Sequence, residues 1–209
     1  MTHVERIQEL RERARRHIAE GAITPNYPLD RGQAVRLLNE ALATELVCTL
    51  RYQFHAFMAS GIHSQAVKAE FREHAREEQE HAERIAERIR QLGGTPQMNP
   101  AHLADLSHSE YREGGTLEEM IREDLIAERI AVESYREMIA FFGERDPTTR
   151  VMLEEVLAKE EEHADELTDL LFAVNPRPAS GRSDPAEQPG AAGNGHRSGS
   201  ASGRPGRPS

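Results

Sequence analysis

One set of residues occurs twice along this chain. Glu45 is followed seven residues later by Tyr52, and 33 residues later by Glu78 of the run Glu78-Gln79-Glu80-His81. Glu128 is followed seven residues later by Tyr135, and 32 residues later by Glu160 of Glu160-x-x-His163. The flanking residues match as well, EQEHAERI in one half and EEEHADEL in the other. Four carboxylates and two imidazoles carried on four helices make a binding site for two metal ions. A fold that brings the two halves face to face is therefore expected.

The punctuation of the chain supplies those helices. A short charged helix is expected over 3–20, followed by a break with two prolines, GAITPNYPLD. A long helix is expected from about Gly32 to Ser60, with Asp30 as its cap and Gly61 as its stop. A second runs from about Ser64 to Leu92 and ends at Gly93-Gly94. A third starts at the capping box Thr116-Leu117-Glu118-Glu119 and ends near Phe142. A fourth starts with Asp146 as cap and Pro147 in the first turn, and ends near Val174. Short joints make the first and second long helices one antiparallel hairpin and the third and fourth another. Residues 93–116 read as a polar connection with Pro96 and Pro100, long enough to cross the bundle. The expected fold is all-α: a four-helix bundle with one long crossover between helices two and three.

Three regions follow: an N-terminal helix and loop over 1–30, the bundle over 31–174 and a tail over 175–209. The tail turns abruptly to Pro, Gly, Ser, Ala and Arg and cannot bury enough apolar surface to offset its ordering entropy, so disorder is expected there. Its five arginines, Arg177, Arg182, Arg197, Arg204 and Arg207, face only Asp184 and Glu187. The formal charge of −10 thus divides into +3 on the tail and −13 on the rest.

Bulk composition excludes several classes. The single cysteine, Cys48, rules out an internal disulfide and suits a reducing compartment. It reads as a small core residue. No apolar run approaches the roughly 18 residues of a membrane helix, and the first residues are too charged for a secretory signal. The chain reads as cytoplasmic. Its acidity gives no global attraction to nucleic acid.

Glu-x-x-His on its own is weak in a Glu-rich chain, so position has to decide. Apolar stripes at helical spacing read Leu38-Leu42-Glu45-Thr49-Tyr52, Phe71-Ala75-Glu78-Ala82, Ile121-Leu125-Glu128-Val132-Tyr135 and Leu153-Leu157-Glu160-Ala164. In each, a Glu takes a slot where a core residue belongs. A buried carboxylate without a partner costs several kcal/mol, and four facing one another would repel. Two divalent cations balance the four charges. Residues three apart share a face, so Glu78 and His81 can reach one ion, and Glu160 and His163 a second. Imidazole with carboxylate suits iron or manganese. Glu80, Glu83, Glu87, Glu154, Glu155 and Glu162 read as solvated surface. Tyr52 and Tyr135 read either as core aromatics or as partners of the site.

The segments LNEALATELVCTLRYQFH, EEQEHAERIAERIRQLGGTP, REDLIAERIAVESYREMI and KEEEHADEL give residues 32–173 a resemblance to the ferritin-like proteins, to bacterioferritin and its Dps-like relatives. The di-iron carboxylate bundle is a standard example of this architecture. The resemblance implies that Glu45, Glu78, His81, Glu128, Glu160 and His163 are ferroxidase ligands. Glu78 and Glu160 would bridge, Glu45 and His81 would complete one iron, and Glu128 and His163 the other. Haem-binding members carry Met after the second-helix Glu, where this chain has Gln79, which argues against haem. The longer N-terminal segment and the lack of a fifth helix favour a shell of twelve subunits over twenty-four.

The expected function is oxidation of Fe(II) to Fe(III) by O2 or H2O2 and storage of the mineral in a homo-oligomeric shell. Glu73 and Glu77 are weaker candidates for metal transit. A di-manganese catalase or peroxidase is the alternative within the same ligand set. The lone cysteine leaves no Cys-x-x-Cys iron site of the rubrerythrin kind. A third expectation, from the arginine tail alone, is a shell that binds DNA by avidity.

Overall fold

The computed structural model describes residues 2–62 and 64–176; the tail from Arg177 onward lies outside the described residues. Six α-helices appear: α1, His3–Arg16; α2, Arg31–Met58; α3, Ser64–Gln91; α4, Pro100–Leu106; α5, Leu117–Phe142; and α6, Pro147–Val174. There is no strand among the described residues. α2 packs chiefly on α3 and α5 on α6, and the pairs meet along α2–α5 and α3–α6.

Caps set the boundaries. Asp30 accepts from the Gln33 amide, Thr116 forms a capping box with Glu119, and Asp146 accepts from the Thr149 amide ahead of Pro147. α3 ends in a Schellman turn: Gly93 has φ +72° and the Gly94 amide donates to the Ile89 carbonyl at 2.9 Å. The first helix is shorter than the sequence suggests. It stops at Arg16, and Ile18–Glu20 form a separate 3-10 turn.

The buried residues follow a seam that advances by four and three alternately, the step that keeps side chains facing a partner helix. In α2 it runs Ala34, Leu38, Ala41, Glu45, Cys48, Tyr52, His55. In α3 it runs Val67, Phe71, His74, Glu78, His81, Ile85. In α5 it runs Ile121, Asp124, Glu128, Ala131, Tyr135, Met138, Phe142, and in α6 Thr149, Leu153, Val156, Glu160, His163, Leu167. Leu125, Val132, Leu157 and Ala164, assigned above to the apolar stripes, are only partly buried. Their places in the core belong to Asp124, Ala131, Val156 and His163.

The apolar core falls into two bodies with the polar residues between them. One gathers Leu38, Leu42, Ile85, Ile89, Met138, Phe142, Leu153 and Val156. The other gathers Tyr52, Val67, Phe71, Ile121 and Leu167.

The crossover holds a short helix that its sequence did not announce. α4 forms within it, started by Asn99, whose side chain accepts from the Ala101 amide, and by Pro100. Leu103 packs on Ala43 and Val47 of α2. α2 pins the rest: Asn39 receives the Gln97 amide at 2.6 Å, and Thr44 receives the His108 amide at 2.9 Å. Arg51 Nη1 donates to the Glu110 carbonyl at 3.0 Å.

Arg51 also joins α2 to α5. It is buried, and its Nε donates to Asp124 Oδ1 at 2.8 Å. The other oxygen of Asp124 lies 2.7 Å from His55 Nδ1. Removing one partner of a buried ion pair leaves the other uncompensated, which costs about 3–5 kcal/mol. Asp124→Ala is expected to lower unfolding stability by that amount in a urea melt. A loss under about 1 kcal/mol would mean that Arg51 finds water or another acceptor.

Candidate metal centre

The six residues named from the repeated pattern come together in the layer between the two apolar bodies. Glu45, Glu78, Glu128, Glu160 and His163 are at most 1% exposed and His81 4%. Such burial of four carboxyl groups demands compensation. Their atoms form two overlapping clusters, in each of which the ligand atoms lie within 4.8 Å of one another. Glu45, Glu78, His81 and Glu160 make one; Glu78, Glu128, Glu160 and His163 make the other. Glu78 and Glu160 belong to both.

The two clusters are related as the sequence halves are. His81 Nδ1 lies 3.7 Å from Glu78 on its own helix and 3.0 Å from Glu160 across the bundle. His163 Nδ1 lies 3.7 Å from Glu160 on its own helix and 3.2 Å from Glu78 across it. The tyrosines complete the exchange. Tyr52 on α2 donates to Glu128 on α5, and Tyr135 on α5 donates to Glu45 on α2. Each half thus holds the lone Glu of the other.

A cation fits this donor set on a structural ground. Glu78 Oε1, Glu128 Oε2, both oxygens of Glu160 and His163 Nδ1 are buried without a hydrogen-bond partner. Native proteins seldom leave buried polar atoms unpaired, and a bound ion is one explanation when they do. Carboxylate oxygens and imidazole nitrogens are ligands for iron, manganese and zinc.

Proton affinities divide the six residues. Burial, reinforced by the Glu78 charge, pushes Glu45 up to about 8. Burial and the charges of Glu78 and Glu160 hold Glu128 well above the ordinary carboxylate range. Burial also acts upward on Glu78 and Glu160, but the two imidazoles and the neighbouring lone Glu, all close by, outweigh it, and both are lowered. Burial disfavours the charged His163, yet the close carboxylates of Glu160 and Glu78 lift it to about 12; His81 is raised in the same way by Glu160, Glu45 and Glu78. Protons are thus held more tightly on Glu45, Glu128 and the two histidines and less tightly on Glu78 and Glu160.

Sequence reasoning missed the surroundings of His163. Its Nε2 donates to Glu77 Oε2 at 2.7 Å, which leaves Nδ1 to face the clusters. Such carboxylate support fixes the ring orientation of a metal-binding histidine. Lys159 Nζ approaches Glu77 at 3.4 Å. His74 stacks on His163 with ring centroids 4.1 Å apart. Glu73 instead pairs with Arg76 at the surface. Gln79 points outward, where it donates to Glu83 at 3.1 Å.

Comparisons with known proteins place the chain among ferritin-like proteins. The family described as Ferritin-like domain matches residues 35–174. Bacterioferritin BfrA of Mycobacterium tuberculosis is 35% identical over 134 residues, 64% of this chain and 80% of that one. A nutrient stress-induced DNA-binding protein of Synechococcus is 33% identical over 132 residues, 61% and 74% of the two chains. Among solved structures, the bacterioferritin-related protein of Bacteroides fragilis, described as a dodecameric thioferritin, superposes with a TM-score of 0.68. It is 32% identical, over 70% of this chain and 88% of that one.

Proposed function

We propose, from the premise that this chain belongs to the ferritin-like domain family, that it is a ferroxidase. It would take up Fe(II), oxidise it at the Glu/His centre within each subunit, and store the ferric product in a homo-oligomeric shell. The observation that carries this reading is the pair of clusters sharing Glu78 and Glu160, with five ligand atoms buried and unpaired.

In this reading Glu78 and Glu160 span two iron positions, Glu45 and His81 complete one, and Glu128 and His163 the other. Two irons held side by side supply one electron each to a common oxidant, O2 or H2O2. The protein's part is placement and proton handling. Tyr52 and Tyr135 fix the rotamers of Glu128 and Glu45 through their hydrogen bonds. Glu77 holds His163 with Nδ1 turned inward. Glu45 and Glu128 release their protons as the cations arrive. The likeness to a protein described as dodecameric supports a shell of twelve. No helix among the described residues is long and apolar enough to cross a membrane.

Manganese and peroxide chemistry is the rival use of the same ligands. Metal content after native purification, combined with Fe(II) oxidation in air followed by ferric absorbance, separates them. Iron in the purified protein and oxidation much faster than a buffer blank are expected. Manganese content with rapid peroxide breakdown and a blank-level iron rate would overturn the ferroxidase reading.

A further inference from the structure

We propose that Glu70, His74 and Glu166 form a third cation site, for a first-row divalent metal, beside the His163 end of the buried centre. Glu70 and His74 are one turn apart on α3, and Glu166 comes from α6. His74 Nε2 lies 2.9 Å from Glu166 Oε2 and 3.8 Å from Glu70 Oε1. One ligand atom from each of the three residues falls within 4.8 Å of the other two. The group shares no residue with the two clusters of the centre.

A surface ion pair is the plain alternative, and the burial of His74 argues against it. Its imidazole is 1% exposed and occupies a seam position. The face of His163 packs on it at 4.1 Å, and Tyr52 meets it edge-on with centroids 5.2 Å apart. Packing therefore fixes this ring, with Nε2 aimed at the two carboxylates. Those carboxylates are 35% and 41% exposed in their side chains. The result is one rigid nitrogen donor and two charged oxygen donors, with the solvent side open for water ligands. One imidazole and two carboxylates suit Fe(II), Mn(II), Co(II) or Zn(II), and two negative charges balance one divalent cation.

The position suggests the use. A cation held here sits one imidazole layer from His163, beside the centre it would supply. The staging role rests on the ferroxidase reading above, whereas the site does not.

Co(II) binding to the full-length protein tests the site, since Co(II) resembles Fe(II) in ligand preference and is not consumed by air. Metal-free native protein and the double variant Glu70→Gln/Glu166→Gln are compared by equilibrium dialysis. Both carboxylates are partly exposed, so the variant is expected to keep its helical circular dichroism. The native chain is expected to bind one more Co(II) than the variant. Equal counts overturn the proposal. So does a loss of two or more, because the site would then not be separate from the centre. The count left in the variant reads the ferroxidase assignment independently: two equivalents support it, and fewer count against it without touching the third site.

Discussion

Glu128→Ala is expected to slow Fe(II) oxidation by at least about 100-fold. Glu128 belongs to one cluster only, so the variant keeps Glu45, Glu78, His81 and Glu160 for the other. A centre reduced to one good position cannot deliver two electrons together. Loss of a supporting residue outside the ligand shell commonly costs 10–100-fold in metal affinity or activity, and loss of a direct ligand belongs at or beyond the top of that range. Stopped-flow absorbance of the ferric product, against native protein and a buffer blank, gives the ratio. Tyr52→Phe removes the donor to Glu128 but leaves the carboxylate. It is therefore expected to fall between the two, about tenfold below native. A Glu128→Ala rate within threefold of native would place the chemistry elsewhere.

Stripping the metal is expected to destabilise the fold, and more so as pH rises from 5 to 8. An ion that binds only the folded state contributes about 4 kcal/mol when its free concentration is a thousand times its Kd. Two such ions correspond to a fall in Tm of roughly 15 °C or more on chelation for a domain of this size. The pH dependence follows from the direction of each shift. Glu45, Glu128, His81 and His163 are raised, so their protonated forms favour the folded state. That stability is present at low pH and is lost as pH rises, through about 8 for Glu45. Glu78 and Glu160 are lowered, and their contribution is lost only as pH falls below the ordinary carboxylate range. Between 5 and 8 His74, held below the ordinary imidazole range by burial, acts the other way, but the four raised groups outnumber it, so the metal-free melting point declines. Cation binding displaces the protons these raised groups hold, so metal uptake is expected to release protons near neutral pH. Differential scanning fluorimetry with and without chelator, and calorimetry in buffers of different ionisation enthalpy, measure both. A metal-free melting point that climbs with pH across this window would contradict the protonation pattern.

The repeat placed six residues on four helices because its spacing is a property of the chain alone. The caps at Asp30, Thr116 and Asp146 were legible for the same reason: each acts on the amide three residues on. What escaped were the pairings across the bundle. Periodicity says that Tyr52 and Glu45 share a face, but not that Tyr52 serves Glu128 while Tyr135 serves Glu45. His74, Asp124 and His55 were passed over because an apolar stripe was sought and they are polar. A signal for them existed. Stepping four back from Glu78 gives His74, four back from Glu128 gives Asp124, and three on from Tyr52 gives His55. The helix in the crossover was foreshadowed only by Asn99-Pro100, a cap and first-turn pair whose seven residues carry little periodicity.

The polar layer between the two apolar bodies also decides how the helices line up. Seams that repeat every seven residues leave neighbouring helices free to slide by a heptad, about 10 Å, and still match apolar to apolar. Here such a slip would set Glu78 against Leu or Tyr and strand His163 beside the wrong turn. Only one alignment gathers all four carboxylates and both imidazoles at one level. The layer is thus a mark of register as well as a place for cations, and a chain with six apolar residues in its stead would lose the means of telling the native alignment from its neighbours.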